Sequence, residues 1–311
     1  MALDEQLARI DGYRELAGFQ TEPAQMRAAG PGKVGELRLG FSLRDGRSVL
    51  DDLYRVAPLL VQQALYWDEA MPELPIVSVI SVGGGILQGD RYRIAIDVGE
   101  GACAHVTSQG FNRIHRMDAN YASQYQEVRA AAGSYLEYLP NFTLPYRDSR
   151  FVSETEIVAD ETATVLYADM IMSGRKHHHA SERFGFDLLS TRVRARRPDG
   201  RLIFAEKLLV EKGNDTIELP AVARGYDAFA NVLCLTPPDT AARIDERIGI
   251  NAGPDQPRAM SGVSKLPGGA GLMFRAIGVE SYDVRAEVKR FWTAVREEAC
   301  GRTLAKDFLW Q

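Results

Sequence analysis

The sequence predicts an all-β protein built from many short strands. Apolar and polar residues alternate with period two through most of residues 34–212. Turn residues interrupt that alternation at intervals of about 10 residues. Helical periodicity surfaces only towards the end of the chain.

The pattern is densest over residues 75–118. A β-branched run, Ile76-Val77-Ser78-Val79-Ile80, breaks at Gly83, Gly84 and Gly85 and turns through Gln88-Gly89-Asp90. The alternating strand Tyr92-Arg93-Ile94-Ala95-Ile96-Asp97-Val98 follows, then a Glu100-Gly101 turn, a strand over 102–107, and a polar cluster that includes Gln109, Arg113, His115 and Arg116. No helix intervenes, so these strands pair either as antiparallel neighbours or as successive rungs of a sheet that winds on itself. The glycine triplet is not a phosphate cradle, because a strand follows it instead of a helix N-terminus and no Gly-Lys-Ser/Thr ending is present. Its expected role, shared with Gly89, is a tight bulge in a β fold.

Ahead of this stretch, residues 1–30 read as a polar, loosely docked extension with a short helix near 4–16. Residues 34–53 read as a hairpin about Arg44-Asp45-Gly46-Arg47. Beyond it, strands are expected over 121–130, 134–140, 150–158 and 163–172, and residues 184–212 form a second hairpin with a Pro198-Asp199-Gly200 turn. A short helix is expected over 240–250, and a strand, glycine-rich turn and strand over 259–278. In residues 284–298, Val284, Val288, Phe291, Trp292 and Val295 form one apolar stripe, the mark of an amphipathic helix. No repeat or low-complexity linker divides the chain, so residues 31–311 are expected to form one β domain after the extension of residues 1–30.

The chain has 311 residues, 45% of them hydrophobic, enough for a substantial core. A net charge of −5 argues against a nucleic-acid partner. The three cysteines lie far apart, without a CxxC pair, and read as buried thiols of a reducing compartment. With no signal sequence and no apolar run of the roughly 20 residues that a bilayer span needs, the expected location is the cytosol.

Five segments in this order resemble one family: residues 83–90 (GGGILQGD), 101–107 (GACAHVT), 136–140 (LEYLP), Gly174-Arg175 with Glu182-Arg183-Phe184, and Leu266-Pro267-Gly268-Gly269. Together they resemble the urease accessory protein UreD, called UreH in some organisms, from about Val34 to the C-terminus. The resemblance implies a helix-like winding of strands with a couple of α-helices, one near the C-terminus. It also implies a non-catalytic scaffold that holds apo-urease and the helical accessory protein UreF, which carries the nickel GTPase UreG. Nickel would pass to urease through an internal passage, with Ni²⁺ in transit and no tightly bound cofactor. The chain departs from the family in having Val106-Thr107-Ser108-Gln109 and His115-Arg116 where a Thr-Thr-Gln-like run ends in a Tyr-Arg pair, and in its histidine triplet at residues 177–179.

Asp90 and Glu206 fall on acidic positions of the family pattern, and the resemblance makes both candidates for lining that passage. Asp90 could equally serve its own turn. Asp169 sits in the apolar run Val165-Leu166-Tyr167-Ala168-Asp169-Met170-Ile171-Met172. A carboxylate there must face a partner, a metal or a water-filled channel, because burying it unpaired costs several kcal/mol. Imidazole suits Ni²⁺, and on a strand only His177 and His179 could share a metal. Glu182 is expected to pair with Arg175, and Cys103 to pack in the core. Phe142, Tyr146, the Phe291-Trp292 helix and residues 308–310 are candidate aromatic anchors for partners. A metal-dependent hydrolase using Asp90, Asp169 and residues 177–179, or a ligand-binding module on a β surface, are the competing readings. No compact nucleophile, base and orienter pattern can be traced for the hydrolase.

Overall fold

The computed structural model describes residues 3–21, 32–213, 217, 219, 222, 223, 225–251, 257–305, 308 and 310. Two sheets face each other. The seven-stranded sheet runs, in spatial order, β14 (Leu202–Glu211), β13 (Leu188–Arg196), β11 (Arg150–Ala159), β8 (Ala122–Ala130), β5 (Arg91–Val98), β1 (Val34–Arg44) and β2 (Arg47–Val56). The second runs β16 (Ala259–Lys265), β17 (Gly271–Gly278), β15 (Ala228–Leu235), β12 (Thr164–Met172), β9 (Tyr135–Leu139), β6 (Cys103–Ser108), β4 (Ile76–Ser81) and β3 (Leu59–Leu60). The short strands β10 (Thr143–Pro145) and β7 (Asn112–Ile114) branch from β12.

Apart from the short strands β7 and β10, the chain alternates between the sheets from β4 to β13. Thus β4, β6, β9 and β12 are parallel neighbours in one sheet, and β5, β8, β11 and β13 are parallel neighbours in the other. Of the two pairings left open by the sequence, the winding one is realised. Successive long strands of this run cross to the opposite sheet, so parallel neighbours need no crossover helix. Antiparallel pairing lies outside these two parallel runs, in the expected hairpins β1–β2 and β13–β14, in β3–β4, and in β12–β15–β17–β16.

The period-two pattern sorts side chains into layers. On β12, Val165, Tyr167 and Ile171 face the core between the sheets, while Leu166, Ala168, Met170 and Met172 face outward. That outer face is covered by α2 (Pro238–Ile248) and α3 (Ser281–Cys300). Helix α3 starts with a capping box between Glu280 and Asp283 and stops at Gly301 in the left-handed region, φ 64°. Its stripe of Val284, Val288, Phe291, Trp292 and Val295 is fully buried.

Two expectations are corrected here. The first concerns the N-terminal extension. Helix α1 (Leu3–Asp11) and the turn after it pack firmly on the seven-stranded sheet, with Ile10 and Leu16 buried beside Tyr121, Tyr125, Val152 and Leu188. Hydrogen bonds and charges from Lys207, Ser190 and Arg192 overcome the effect of burial and bring the Glu15 carboxyl down to about 2. Arg9 pairs with Glu154, whose side chain is fully buried. Deleting residues 1–21 is therefore expected to lower the thermal midpoint by several degrees, measured by circular dichroism, because it uncovers these contacts. The end of the extension, residues 22–30, lies outside the described residues.

The second correction concerns the aromatic anchors. Phe142, Phe291, Trp292, Phe308 and Trp310 are buried. Phe308 and Trp310 fold back onto Trp292, and the Trp310 indole donates to the Leu139 carbonyl at 3.0 Å. Tyr146 is half-buried, covered by Arg175. Leu309 lies outside the described residues.

Candidate functional site

The inward rows of the two sheets are apolar except at their middle. Asp169 stands in the β12 row of Val165, Tyr167 and Ile171, and Thr191 in the β13 row of Leu189, Val193 and Ala195. Glu206 stands in the β14 row of Phe204, Leu208 and Val210, and Gln124 and Gln126 in the β8 row of Ala122, Val128 and Ala130. The winding stacks these exceptions into one polar layer. Gln126 donates to Thr155 Oγ1 at 2.8 Å and accepts from the Tyr138 hydroxyl, and Thr155 meets the Tyr167 hydroxyl at 3.0 Å.

A cavity of about 210 Å³ occupies this layer, lined by Gln124, Gln126, Tyr138, Tyr167, Asp169 and Thr191, and it opens beside Gly84, Gln109 and Arg113. Tyr167, Asp169 and Thr191 are also walls of a second, much tighter void of about 10 Å³, which adds Phe204, Glu206, Asn231 and Met273. Phe204, Glu206 and Met273 in turn line an open hollow on the far side, with Leu202, Pro267 and Arg275. The three spaces thus share walls in sequence, with Asp169 at the first junction and Glu206 at the second.

Asp169 is the one carboxylate among the described residues lining the 210 Å³ cavity between the sheets. Burial, opposed by a hydrogen bond from Thr191 and helped by the nearby Glu206 charge, leaves its carboxyl raised to about 6. Glu206 pairs with Arg275, whose Nε also donates to the Asn231 amide oxygen at 3.2 Å. Because Glu206 belongs to one sheet and Arg275 to the other, this pair clasps the two sheets across the exit.

The remaining candidates lie elsewhere. The Asp90 carboxylate accepts from the Lys33 and Leu87 backbone N–H groups and from the Tyr92 hydroxyl, each at 2.9 Å, so it closes the glycine turn and lines none of the three spaces. Residues 177–179 form an exposed turn, not a strand, which removes the geometry expected of His177 and His179. His177 Nε2 lies 3.2 Å from Glu280, and His179 Nδ1 accepts from the Ser181 N–H. No group of three or more metal-ligating side chains with the geometry to hold an ion occurs among the described residues. Glu182 pairs with Arg175 at 2.6 Å, as expected.

The glycines are structural. Gly84 has φ 78°, Gly89 φ 77° and Gly85 φ 143°, and a Cβ on Gly85 would lie 2.5 Å from the Arg113 carbonyl oxygen. Gly83 is exposed on the same turn. At Gly174 a Cβ would lie 2.0 Å from the Glu182 carbonyl oxygen. Gly174→Ala is therefore expected to break up the Arg175–Glu182 corner and give less folded protein, scored by the soluble yield against Gly262→Ala, where the space is open and the backbone ordinary.

Thr191, Gln126, Tyr167, Asn231 and Arg275 escape sequence reasoning. Their one signal is a polar residue breaking an apolar row, and that becomes visible only once strand boundaries are fixed.

The family model described as the UreD urease accessory protein matches residues 33–311. The chain belongs to this family. Relatives bear it out: the urease accessory protein UreD 3 of Methylorubrum populi is 68% identical over 311 residues, covering 100% of both chains. The urease accessory protein UreD of Yersinia pseudotuberculosis is 46% identical over 301 residues, covering 96% of this chain and 92% of its own. Family membership supports a role in urease maturation. No helix among the described residues is long and apolar enough to cross a membrane.

Proposed function

We propose that this chain is a non-catalytic urease maturation factor that binds apo-urease and UreF, reaches UreG through UreF, and passes Ni²⁺ through the space between its two sheets. It works in the cytoplasm. The observation that carries this reading is the shared-wall series of three spaces with a carboxylate at each junction. A route for a cation needs donors spaced so that each binds weakly enough to release. Two carboxylates separated along a corridor of amide and hydroxyl groups meet that need, whereas a closed multi-ligand cage would trap the ion. The tight middle void leaves room for about one water, so an ion passing it sheds part of its hydration shell and leans on Asp169, Thr191 and Glu206 instead. Asp90, His177 and His179 are not needed for the route.

The test is nickel content. Asp169→Asn and Glu206→Gln are expected to lower the nickel bound per urease, measured by elemental analysis of urease co-produced with the variant, while urease and UreF still co-purify with the chain. Fully loaded urease from the Asp169→Leu variant would sink the route. Turnover of a small substrate by the purified chain would sink the non-catalytic reading.

A further inference from the structure

The exit between the two sheets holds a cation of the chain's own. The register of the second sheet sets Asp169 on β12 opposite Asn231 on β15, and Asn231 opposite Arg275 on β17, so the three stand in one row across neighbouring strands. Arg275 Nε donates to the Asn231 amide oxygen at 3.2 Å, and Nη2 reaches across to Glu206 on the other sheet. Asp169 borders the large cavity and the tight void, Glu206 the tight void and the outer hollow, and Arg275 the outer hollow alone. Among the described residues lining that hollow, Glu206 is the one carboxylate and Arg275 the one cation. The lysines beside it in sequence, Lys207 and Lys265, pair with Glu15 and Asp245.

Two carboxylates lining a void that holds about one water form a trap for a divalent ion, because attraction between charges grows as water is excluded. Delivery requires the opposite, a short stay. An arginine that competes for the same carboxylate shortens it, since the ion must break the Glu206–Arg275 pair to bind and meets a like charge beside it once bound. The pair is also easy to break and remake. The Arg275 side chain is 54% exposed against 27% for Glu206, so the guanidinium can swing into water on its flexible stem with little change in hydration, and a pair this exposed is weak.

We infer that Arg275 is an exchangeable counter-ion at the exit: it holds Glu206 while the passage is empty, yields it to a divalent cation arriving from Asp169, and reclaims it as the cation leaves for the outer hollow. Arg275 thus works as a release device, and the Glu206 carboxylate is never left without a positive partner. The inference rests on the passage reading for the arrival of the ion and on the Glu206, Arg275 and Asn231 geometry for the exchange.

The experiment measures binding of nickel(II) chloride to the purified full chain, carrying a tag without histidine, by equilibrium dialysis. Arg275→Met keeps the length of the stem and removes the charge, and it is expected to tighten Ni²⁺ binding about five- to tenfold. The gain should vanish when Glu206→Gln is added, and Arg275→Lys, which keeps the charge, should stay near the parent. Urease co-produced with the Arg275→Met chain should still co-purify with it but carry less nickel, because the ion lingers in the exit. A merely structural clasp predicts the reverse pattern: unchanged Ni²⁺ affinity with a lower thermal midpoint. That result, or a gain in affinity that persists without Glu206, overturns the exchange. The two readings fail separately. If Asp169→Asn leaves the nickel content of urease normal while Arg275→Met still tightens binding through Glu206, the passage falls and the exchange stands, whereas lowered nickel with Asp169→Asn and parent affinity in Arg275→Met leaves the passage and removes the exchange.

Discussion

Arg296→Ala is expected to destabilise the protein by about 3–5 kcal/mol, the cost of stripping the partner from buried charges. Beneath α3, Arg296 is fully buried and grips Glu137 with Nε and Nη2, both at 2.7 Å, while Nη1 binds Asp68. Glu137 also accepts from the Tyr135 hydroxyl at 2.7 Å and meets His105 Nδ1 at 2.8 Å. Burial alone would push the Glu137 carboxyl up, but Arg296 and His105 hold it well below the ordinary carboxylate range. A carboxyl lowered by folding stabilises the fold above its unfolded value, and that contribution is lost as pH falls into the acid range. Alanine at 296 leaves two buried carboxylates facing each other. Arg296→Lys should recover only part of the loss, because an ammonium cannot fork onto both Glu137 oxygens. Thermal melts at neutral pH check the prediction, and a midpoint within a degree or so of the parent would refute it.

Asp169→Asn is expected to act in the opposite direction on stability. The folded chain holds the Asp169 carboxyl near 6. It therefore takes up a proton more readily than the unfolded chain does, and Asp169 contributes stability that is complete below about pH 4 and lost as pH rises through about 6. At pH 8 the charged side chain is a burden of about 1–2 kcal/mol, allowing for screening by water in the cavity. Asparagine stays neutral, so the variant should melt higher than the parent at pH 8 and show a flatter pH dependence between about 4 and 6. A site whose charge is costly to keep and whose neutral isostere is more stable carries that charge for function. An Asp169→Asn chain that melts lower than the parent at pH 8 would show that the carboxylate is structural.

The strands were legible because burial with period two writes itself into the sequence wherever one face is core, as in residues 92–98 and 165–172. The same rule exposed Asp169 as an exception in an apolar row. Asp90 and the histidine triplet mark the limit of such reading: residue type states which ligands are available, but only backbone geometry says whether the side chain is already engaged, as Asp90 is, or set on an exposed turn, as His177 and His179 are. The Arg296 cluster could not be read at all. Asp68, His105, Glu137 and Arg296 come from a loop, two strands and a helix, and nothing local marks them as neighbours. The apolar stripe of α3 is legible from its spacing, but the surface it meets, the protein's own sheet, is not.

The alternation of strands between sheets has a consequence for synthesis. A strand such as β5 finds its next rung only when β8 has been made, and β6 must wait for β9. A nascent chain therefore leaves the ribosome with unpaired edges on both faces, and the cover that α3 gives one sheet arrives last. Such a chain is prone to stick to its own copies before it is finished, so its recovery in intact form should improve when translation is slowed or when the proteins it serves are made alongside it.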